Sequence, residues 1–495
     1  MCGITGFWDF DNNIDLKKYS NILKSMTGEL KHRGPDGEGF EILSNLCFGF
    51  RRLSIQDLSL KGMQPMFAKN REGIIVFNGE IYNFKELRRN HLSNVNFQSD
   101  TDTEVILELI NKYGFEETLK VLNGMFAFAY FDIKNKNLYI ARDRIGKKPL
   151  YYSFQNRILG FASELKSLYK IPGFSFVKSR KAVHFFSQLG YIPTPLSIYN
   201  NVYKLEQATY MKINKDGEMI KNKYWNFNQN QNESSYLDLD ELDDLINDSV
   251  KIRMISDAPL GTFLSGGVDS TIVTMKAREN KNDLKTFSLG SFYDKYDESQ
   301  YAFKASSILD TEHYQNYLTN HDLIENLSYL NYFYDEPFAD SSQIPTMVNS
   351  KFAAEQVKVC LSGDGGDELF GGYPRYYHAK RLNKLSNFFS LTKFLPILKG
   401  ESEFVKKINK LRSISEQNRN IGINELYFDI VSQTNNREII INYDNKIINE
   451  LNPWNEEILF KNEIDYFRYI DMNSYLMDDI LHKVDRGSMS KSLEV

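Results

Sequence analysis

The sequence predicts two domains of different fold class, an α+β domain built on β-sheets and an α/β domain with a parallel sheet. Up to about residue 205, short alternating or apolar runs are bounded by turn residues, which is typical of strands in layered sheets. After residue 239, apolar strands alternate with helix-like segments, which indicates a doubly wound parallel sheet. A chain of 495 residues is also too long for a single ordinary core.

In the first domain, three apolar runs are the clearest strand candidates, at 73–77, 125–131 and 138–141. Helical patterns interrupt these runs near 15–30 and 103–113. In the second helical pattern, apolar residues recur at helical spacing: Val105, Ile106, Leu109 and Ile110. The first domain is therefore predicted to contain helices as well as sheets.

An Asn-rich polar stretch at 225–235 predicts a linker or surface loop. An amphipathic helix is predicted at 239–255, and strands are predicted after it at 261–264, 286–289 and 357–361. From about residue 380 the chain is predicted to be mostly helical. We therefore divide the chain into a first domain at 1–205, a linker with connecting strands at 206–238, and a second domain at 239–495.

Composition excludes several classes of function. The chain has 60 basic and 65 acidic residues and a net charge of -5, so it offers no basic field for nucleic acid or an anionic membrane. It contains no apolar run long enough to span a bilayer, and its start lacks the pattern of a secretory signal. Its cysteines (Cys2, Cys47 and Cys360) cannot form a disulfide framework, and the last two lie in strand-like apolar runs. The sequence predicts a cytoplasmic protein that binds neither nucleic acid nor a membrane.

Cys2 follows the initiator methionine directly. Removal of Met1 leaves one residue with a thiol, whose ordinary pKa is about 8.5, and an α-amine, whose ordinary pKa is about 7.7–8.0. Such a residue holds a nucleophile together with its own base. A thiolate suits amide cleavage because it attacks the carbonyl and later leaves from a thioester. A cysteine at this position also arises by chance, so its neighbours must decide its role.

Seven segments of the first domain stand in the order found in the class II glutamine amidotransferases. They are MCGITGF at 1–7, HRGPDG at 32–37, RRLSI at 51–55, FNGEIYN at 77–83, SDTDTE at 99–104, ARDRIGKKPLYY at 141–152 and FASELK at 161–166. The first domain therefore resembles this family, which uses its N-terminal cysteine to hydrolyse glutamine. Residues 33–36 are expected to form a loop over the site.

The resemblance implies a role for each polar residue near the thiol. Arg52 binds the α-carboxylate of glutamine, where a bidentate guanidinium suits a planar anion. Asp102, helped by Glu80, binds the α-ammonium group. Asn78 and the backbone N–H of Gly79 form the oxyanion hole, from a turn at the end of a strand. The structural alternatives are a plain turn at Asn78 and Gly79, a surface cation at Arg52 and a helix N-cap at Asp102.

A second motif, LSGGVDS at 264–270, lies between an apolar strand and a helix-like segment. Its glycines let backbone N–H groups approach an anion, and the helix N-terminus adds a favourable dipole. It lacks a Walker lysine, so it is not a kinase-type phosphate loop. The motif resembles the pyrophosphate loop of enzymes that adenylylate a carboxylate or related group and release AMP and pyrophosphate. Asp269 is a candidate Mg²⁺ ligand. The candidate ATP-binding residues are Leu264, Ser265, Gly266, Gly267, Asp269, Ser270, Leu289, Ser362 and Gly363.

A third motif, LSGDGGDELFGGY at 361–373, also follows a strand. Three acids and five glycines lie within the eleven residues from Ser362 to Gly372. Acids at this density suit Mg²⁺ coordination or proton removal from an attacking amine, rather than a phosphate cradle alone. The alternative is a calcium-like or purely structural turn.

The two domains together resemble the glutamine-hydrolysing asparagine synthetases over essentially the whole chain. This resemblance implies an αββα N-terminal nucleophile hydrolase sandwich, followed by an adenine nucleotide alpha hydrolase-like domain. In that family the 361–373 loop covers the nucleotide and the acceptor, which implies Asp367 as a Mg²⁺ ligand and Asp364 as a residue that helps to deprotonate ammonia. The segments at 335–342 and 483–489 also match, and they are expected to shape the acceptor pocket.

The implied reaction uses glutamine, ATP with Mg²⁺, and a carboxylate, most simply aspartate. Glutamine is hydrolysed to glutamate and ammonia, the carboxylate is activated as an acyl-adenylate, and ammonia converts it into an amide. Two alternatives stay open: an acceptor such as a sugar acid, or a homologue that is non-catalytic or acts only as a glutaminase. The resemblance also makes a homodimer a possible assembly of the chain. Relatives continue past Val495 with an Arg-x-Pro-Phe-Leu-Asp segment, so we expect the second domain to be C-terminally incomplete.

Overall fold

The computed structural model describes residues 2–12, 15–227, 238–292, 297–389, 423–433, 460 and 462–495. Within them, the first domain consists of antiparallel sheets and the second is built on a parallel sheet. Most of the predicted linker at 225–235 lies outside the described residues. Among the helices that are described, none combines the length and the apolar character that crossing a membrane requires.

The first sheet holds the N-terminus of the chain. Its strands are β1 (Gly3–Asp9), β2 (Gly37–Leu43), β3 (Leu46–Arg52), β8 (Tyr151–Gln155), β9 (Ile158–Ala162) and β10 (Val202–Lys204), in the order β10-β8-β9-β1-β3-β2. Strand β1 lies between β3 and β9 and is antiparallel to both. Because β1 begins at Gly3, this pairing fixes the position of Cys2 at the end of a central strand.

The second sheet carries the strands that the sequence predicted most clearly. Its members are β4 (Met66–Phe67), β5 (Gly73–Ile81), β6 (Gly124–Asp132), β7 (Asn137–Arg142), β11 (Thr209–Ile213) and β12 (Met219–Lys223), in the order β12-β11-β7-β6-β5-β4. Strands β11 and β12 come from the segment predicted to hold connecting strands. They extend this sheet because β11 pairs with β7.

Helices cover both outer faces of the two stacked sheets. Side chains such as Phe48 and Phe161 of the first sheet meet Val76 and Ile140 of the second in a shared core. Helix α1 (Leu16–Gly28) packs on the outside of the first sheet. The outside of the second sheet is covered by α2 (Phe84–His91), α3 (Asp102–Tyr113) and α4 (Phe115–Val121). The layers therefore run helix, sheet, sheet, helix, which confirms the expected αββα sandwich. Two further helices of this region are α5 (Leu165–Leu168) and α6 (Arg180–Leu189).

The second domain is built on four parallel strands. They are β13 (Leu260–Phe263), β14 (Lys285–Ser291), β15 (Glu312–Leu318) and β16 (Val359–Leu361), in the order β15-β14-β13-β16. Its helices are α7 (Leu239–Arg253), α8 (Val268–Asn280), α9 (Ser299–Leu309), α10 (Asn320–Leu327), α11 (Leu330–Tyr334), α12 (Gln343–Ala354) and α13 (Gly366–Phe370). Because β13 and β16 are neighbours, the two glycine-rich loops at their carboxyl ends lie side by side. The predicted parallel sheet is confirmed.

The C-terminal part of the described chain is helical, as predicted. It contains α14 (Pro374–Phe389), α15 (Ile423–Val431), α16 (Glu463–Asn473), a π-helical turn at Leu476–Leu481 and α17 (His482–Met489). After α17 the chain turns back to run beside β16. There the N–H of Glu494 donates to the Lys358 carbonyl at 3.0 Å, and the Cys360 N–H donates to the Glu494 carbonyl at 2.8 Å.

A buried network of charged side chains joins the two domains. The Arg33 guanidinium donates to both carboxylate oxygens of Asp485, at 2.8 and 3.0 Å, and to Glu164 at 3.0 Å. Arg486 lies 2.9 Å from Glu164 and 3.3 Å from Asp335. All five side chains are at most 3% exposed. Arg33 is therefore part of the domain interface, and that the segment at 33–36 forms a loop over the site stays a prediction.

Candidate active sites

Five of the six residues predicted for the glutamine site line one cavity, and the sixth, Asn78, contacts Cys2 without lining it. Cys2, Arg52, Gly79, Glu80 and Asp102 all line it. The backbone N–H of Cys2 donates to Asn78 Oδ1 at 3.0 Å, and the Cys2 thiol lies 3.9 Å from the Leu53 carbonyl oxygen. Burial raises the pKa of the Cys2 thiol, while the Leu53 contact and the Arg52 charge act in the opposite direction.

Asn78 lies in the interior of a strand rather than in a turn. It is part of β5, opposite Ala127 of β6, so both the expected strand-end turn and the plain-turn alternative are wrong. Its side-chain Nδ2 is buried and has no hydrogen-bond partner among the described residues. An unsatisfied buried donor costs about 1–3 kcal/mol. The site therefore contains a buried N–H donor without an acceptor among the described residues.

The residue after Asn78 has no room for a side chain. A Cβ atom added to Gly79 would lie 2.1 Å from the Met125 carbonyl oxygen of the neighbouring strand. Glycine lets β5 and β6 approach closely at this point, directly behind the thiol. The backbone N–H of Gly79 remains a candidate second oxyanion donor.

Arg52 is held in place by backbone carbonyl groups. Its Nη1 donates to Ser59 at 2.6 Å, and its Nη2 donates to Asp57. The residue is only 5% exposed, so the surface-cation alternative is wrong. Its hydrogen-bond partners are neutral carbonyl groups and it forms no ion pair with a described residue, which suits it to bind a carboxylate.

Glu80 and Asp102 form a buried acidic pair. Asp102 is the first residue of α3, whose N-cap is Thr101, so the N-cap alternative for Asp102 is wrong. Asp102 Oδ2 accepts from the Ile81 N–H at 2.9 Å, and Glu80 Oε1 has no hydrogen-bond partner among the described residues. Burial raises the pKa of Asp102 to about 6 and, with the nearby charges of other carboxylates, that of Glu80 to about 8. Desolvated carboxylates of this kind favour an incoming ammonium group.

The loop at 264–270 forms a tight turn in front of α8. Gly266 has a φ of +83°, and a Cβ atom there would lie 2.4 Å from the Tyr301 backbone. No side chain caps the start of α8, so its first N–H groups are open to a ligand. A cavity of about 490 Å³ lies at this point, lined among others by Leu264, Ser265, Ser270, Leu289, Ser362 and Asp364. The cavity thus brings together residues of both loops, whereas the predicted residues Gly266, Gly267, Asp269 and Gly363 are not among those that line it.

The two glycine-rich loops pack directly against each other. A Cβ atom on Gly363 would lie 2.7 Å from the Ser270 nitrogen, and one on Gly366 would lie 2.6 Å from the Asp269 carboxyl carbon. Burial raises the pKa of Asp269, and the nearby charge of Asp367 adds to this effect. Neither carboxylate forms an ion pair within the described part of the chain. Uncompensated carboxylate oxygens beside an anion-binding loop fit Mg²⁺. Asp367 does not line the nucleotide cavity itself.

A second cavity borders the nucleotide cavity. It measures about 610 Å³ and shares Ser342 and Lys483 with its neighbour. The ammonium group of Lys483 lies 3.0 Å from Asp340 Oδ2 at this border. The segments at 335–342 and 483–489, expected to shape an acceptor pocket, thus meet between the two cavities.

Several charged residues near the thiol have no role that the sequence predicts. The Lys148 ammonium group lies 2.9 Å from Glu494 Oε1, and both side chains are fully or almost fully buried. Although burial opposes the effect, the Lys148 charge lowers the pKa of Glu494 to about 2. Glu494 also raises the pKa of Glu80, so the end of the second domain reaches the glutamine cavity. Lys148 could have been noticed in the sequence as a charged residue inside a segment that carries the resemblance. Its position in that segment does not show that it pairs with Glu494.

Known proteins resemble both halves of the chain. The family model described as a glutamine amidotransferase domain matches residues 1–225, and that described as asparagine synthase matches residues 241–495. The chain is 37% identical to the putative glutamine-hydrolyzing asparagine synthetase 2 of Methanocaldococcus jannaschii, over 84% of this chain and 83% of that protein. It is 32% identical to the glutamine-hydrolyzing asparagine synthetase 1 of Bacillus subtilis, over 100% of this chain and 78% of that protein. A solved glutamine phosphoribosylpyrophosphate amidotransferase from B. subtilis is 16% identical, with a TM-score of 0.35 over 58% of this chain and 65% of that chain.

Proposed function

The chain belongs to the glutamine-hydrolysing asparagine synthetases, and we propose that it transfers the side-chain nitrogen of glutamine to aspartate at the expense of ATP. The observation that carries this proposal is the presence of two complementary sites in one chain. One site places a thiol beside an unpaired buried N–H donor, and the other places paired glycine-rich loops beside uncompensated carboxylates.

In the first site, the Cys2 thiolate attacks the side-chain amide carbon of glutamine. Arg52 binds the α-carboxylate, and Asp102 with Glu80 binds the α-ammonium group. The negative charge that develops on the amide oxygen is accepted by Asn78 Nδ2 and the Gly79 N–H. Ammonia leaves, a thioester remains on Cys2, and water then releases glutamate.

In the second site, the loops bind ATP so that its α-phosphorus faces the acceptor. An oxygen of the aspartate β-carboxylate attacks that phosphorus, and pyrophosphate leaves. Asp269 and Asp367 would hold Mg²⁺, which would neutralise negative charge on the phosphates. Ammonia then attacks the acyl carbon, Asp364 helps to remove a proton from the nitrogen, and AMP leaves as asparagine forms.

Ammonia must reach the second site without loss to water, because water would hydrolyse the activated aspartate. The buried charge network around Arg33 supports such a closed passage, since it packs the domains together directly behind Cys2. The Arg33 Nε donates to the Cys2 carbonyl at 3.2 Å. A cytoplasmic location and a homodimer remain predictions from the sequence.

Replacement of Asn78 by Ala tests the oxyanion role. We expect the kcat of glutamine hydrolysis to fall by about 10²–10³, because one donor to the developing negative charge is lost. The KM for glutamine is expected to change little, since Asn78 binds the transition state more than the substrate. Glutamate release measured at saturating glutamine gives the result. An unchanged kcat would remove Asn78 from the mechanism.

A further inference from the structure

The cavity of about 610 Å³ beside the nucleotide cavity is lined by several charged side chains. Its volume falls within the range of roughly 300–1,000 Å³ that is usual for small-molecule sites. Because it shares Ser342 and Lys483 with the nucleotide cavity, a molecule bound there can present one end to the phosphates. Arg375 and Asp471 also line this cavity.

The charged side chains of this cavity are paired, with one exception. Lys483 pairs with Asp340 at 3.0 Å, and Arg375 pairs with Asp471 at 2.6 Å. Asp479 is 5% exposed, and its Oδ1 has no hydrogen-bond partner among the described residues. Burial raises the pKa of Asp479 to about 8, as do the charge of Asp340 and a hydrogen bond with it, while the charges of Lys483 and Arg375 act in the opposite direction. Asp479 is therefore a buried carboxyl group that forms no ion pair with a described residue.

We propose that Asp479, next to Asp340, receives the α-ammonium group of the acceptor and thereby selects an amino acid over a plain carboxylic acid. This inference rests on the proposed function, in which the acceptor is a carboxylate. An ammonium group supplies both the positive charge and the hydrogen-bond donors that the buried carboxyl group lacks. A sugar acid brings hydroxyl groups but no cation, so the Asp479 carboxyl group would remain without a positively charged partner.

The position of Arg375 fits the rest of an amino acid. Its Nε and Nη2 donate to Tyr427 and Asp471. The Arg375 guanidinium lines the same cavity as Asp479, and its positive charge suits the α-carboxylate of the acceptor. With the ammonium group on Asp479 and the α-carboxylate on Arg375, the second carboxylate extends toward Lys483 and the nucleotide.

Binding to an Asp479→Asn variant tests this assignment. The amide resembles the protonated carboxyl group in size and polarity, so the cavity is expected to stay intact. Isothermal titration calorimetry of the full chain, with Mg²⁺ and a non-hydrolysable ATP analogue, compares L-aspartate with succinate, which lacks only the amino group. We expect the variant to lose about 10- to 100-fold in affinity for aspartate and to bind succinate as the wild type does. The matched control is Asp465→Asn, at a surface ion pair with Arg468 on α16, which is expected to change neither affinity.

Unchanged aspartate affinity in Asp479→Asn overturns the inference, as does an equal loss for succinate or a failure of the wild type to bind aspartate. Amide formation from aspartate, ammonium and Mg-ATP is followed in parallel. If aspartate binds in an Asp479-dependent manner and no amide forms, the proposed function fails while the inference stands. If asparagine forms with the same KM for aspartate in the variant, the inference fails while the proposed function stands.

Discussion

Replacement of Cys2 by Ala is expected to abolish glutamine-dependent asparagine formation and to leave ammonia-dependent formation intact. The methyl group of alanine cannot form the thioester, so no ammonia is released from glutamine. The second site does not contain Cys2 and takes its nitrogen from ammonium salts in the same way. Asparagine formation from each nitrogen donor, measured side by side with Mg-ATP and aspartate, gives both rates.

A second buried cysteine provides the matched control for this experiment. Cys47 lies inside β3, and burial together with the nearby charge of Asp9 raises its pKa to about 12. Cys47→Ala is therefore expected to retain glutamine-dependent activity. Residual glutamine use in Cys2→Ala, or its loss in Cys47→Ala at equal folding, would place the nucleophile elsewhere.

Replacement of Asp485 by Asn is expected to lower the free energy of unfolding by about 3–5 kcal/mol. The change leaves Arg33 fully buried and without the carboxylate that binds it through two hydrogen bonds. Circular dichroism recorded during urea unfolding measures the free-energy change of the first unfolding transition. Glu117→Gln, at the exposed ion pair with Lys120, is the control and is expected to change little.

A double variant separates the charge effect from a packing effect. Removing both charges with Arg33→Met and Asp485→Leu leaves no uncompensated ion in the interface. We expect the double variant to be more stable than the sum of the two single effects predicts. A simple additive result, or a single Asp485→Asn variant as stable as the wild type, would show that the network does not hold the domains together.

The residues around the thiol could be predicted because each lies in a short segment with a recognisable local pattern. Arg52 and Asp102, for instance, belong to contiguous segments that carry the resemblance. Their local geometry was harder to predict. An Asn-Gly pair favours a turn, but pairing with β6 keeps Asn78 and Gly79 inside a strand. Similarly, Thr101 caps α3 and leaves Asp102 free to face the cavity.

The domain interface could not be predicted in the same way. Arg33 and Asp485 are separated by 452 positions in the chain, and no local pattern relates them. Their pairing depends on how the sheets of the first domain pack against the second domain. The same holds for Lys148 and Glu494, whose contact places the end of the second domain beside the glutamine cavity. Motifs identify such residues as polar, and only the packed structure identifies their partners.

The central claim is that one chain moves nitrogen from glutamine to aspartate through two sites. The most direct test supplies glutamine labelled with ¹⁵N in its side-chain amide, together with Mg-ATP and aspartate, and assays glutamate, pyrophosphate and asparagine together. We predict labelled asparagine, with pyrophosphate formed in equal amount. Glutamate without labelled asparagine, under conditions where ATP is bound, would contradict the transfer and reduce the chain to a glutaminase.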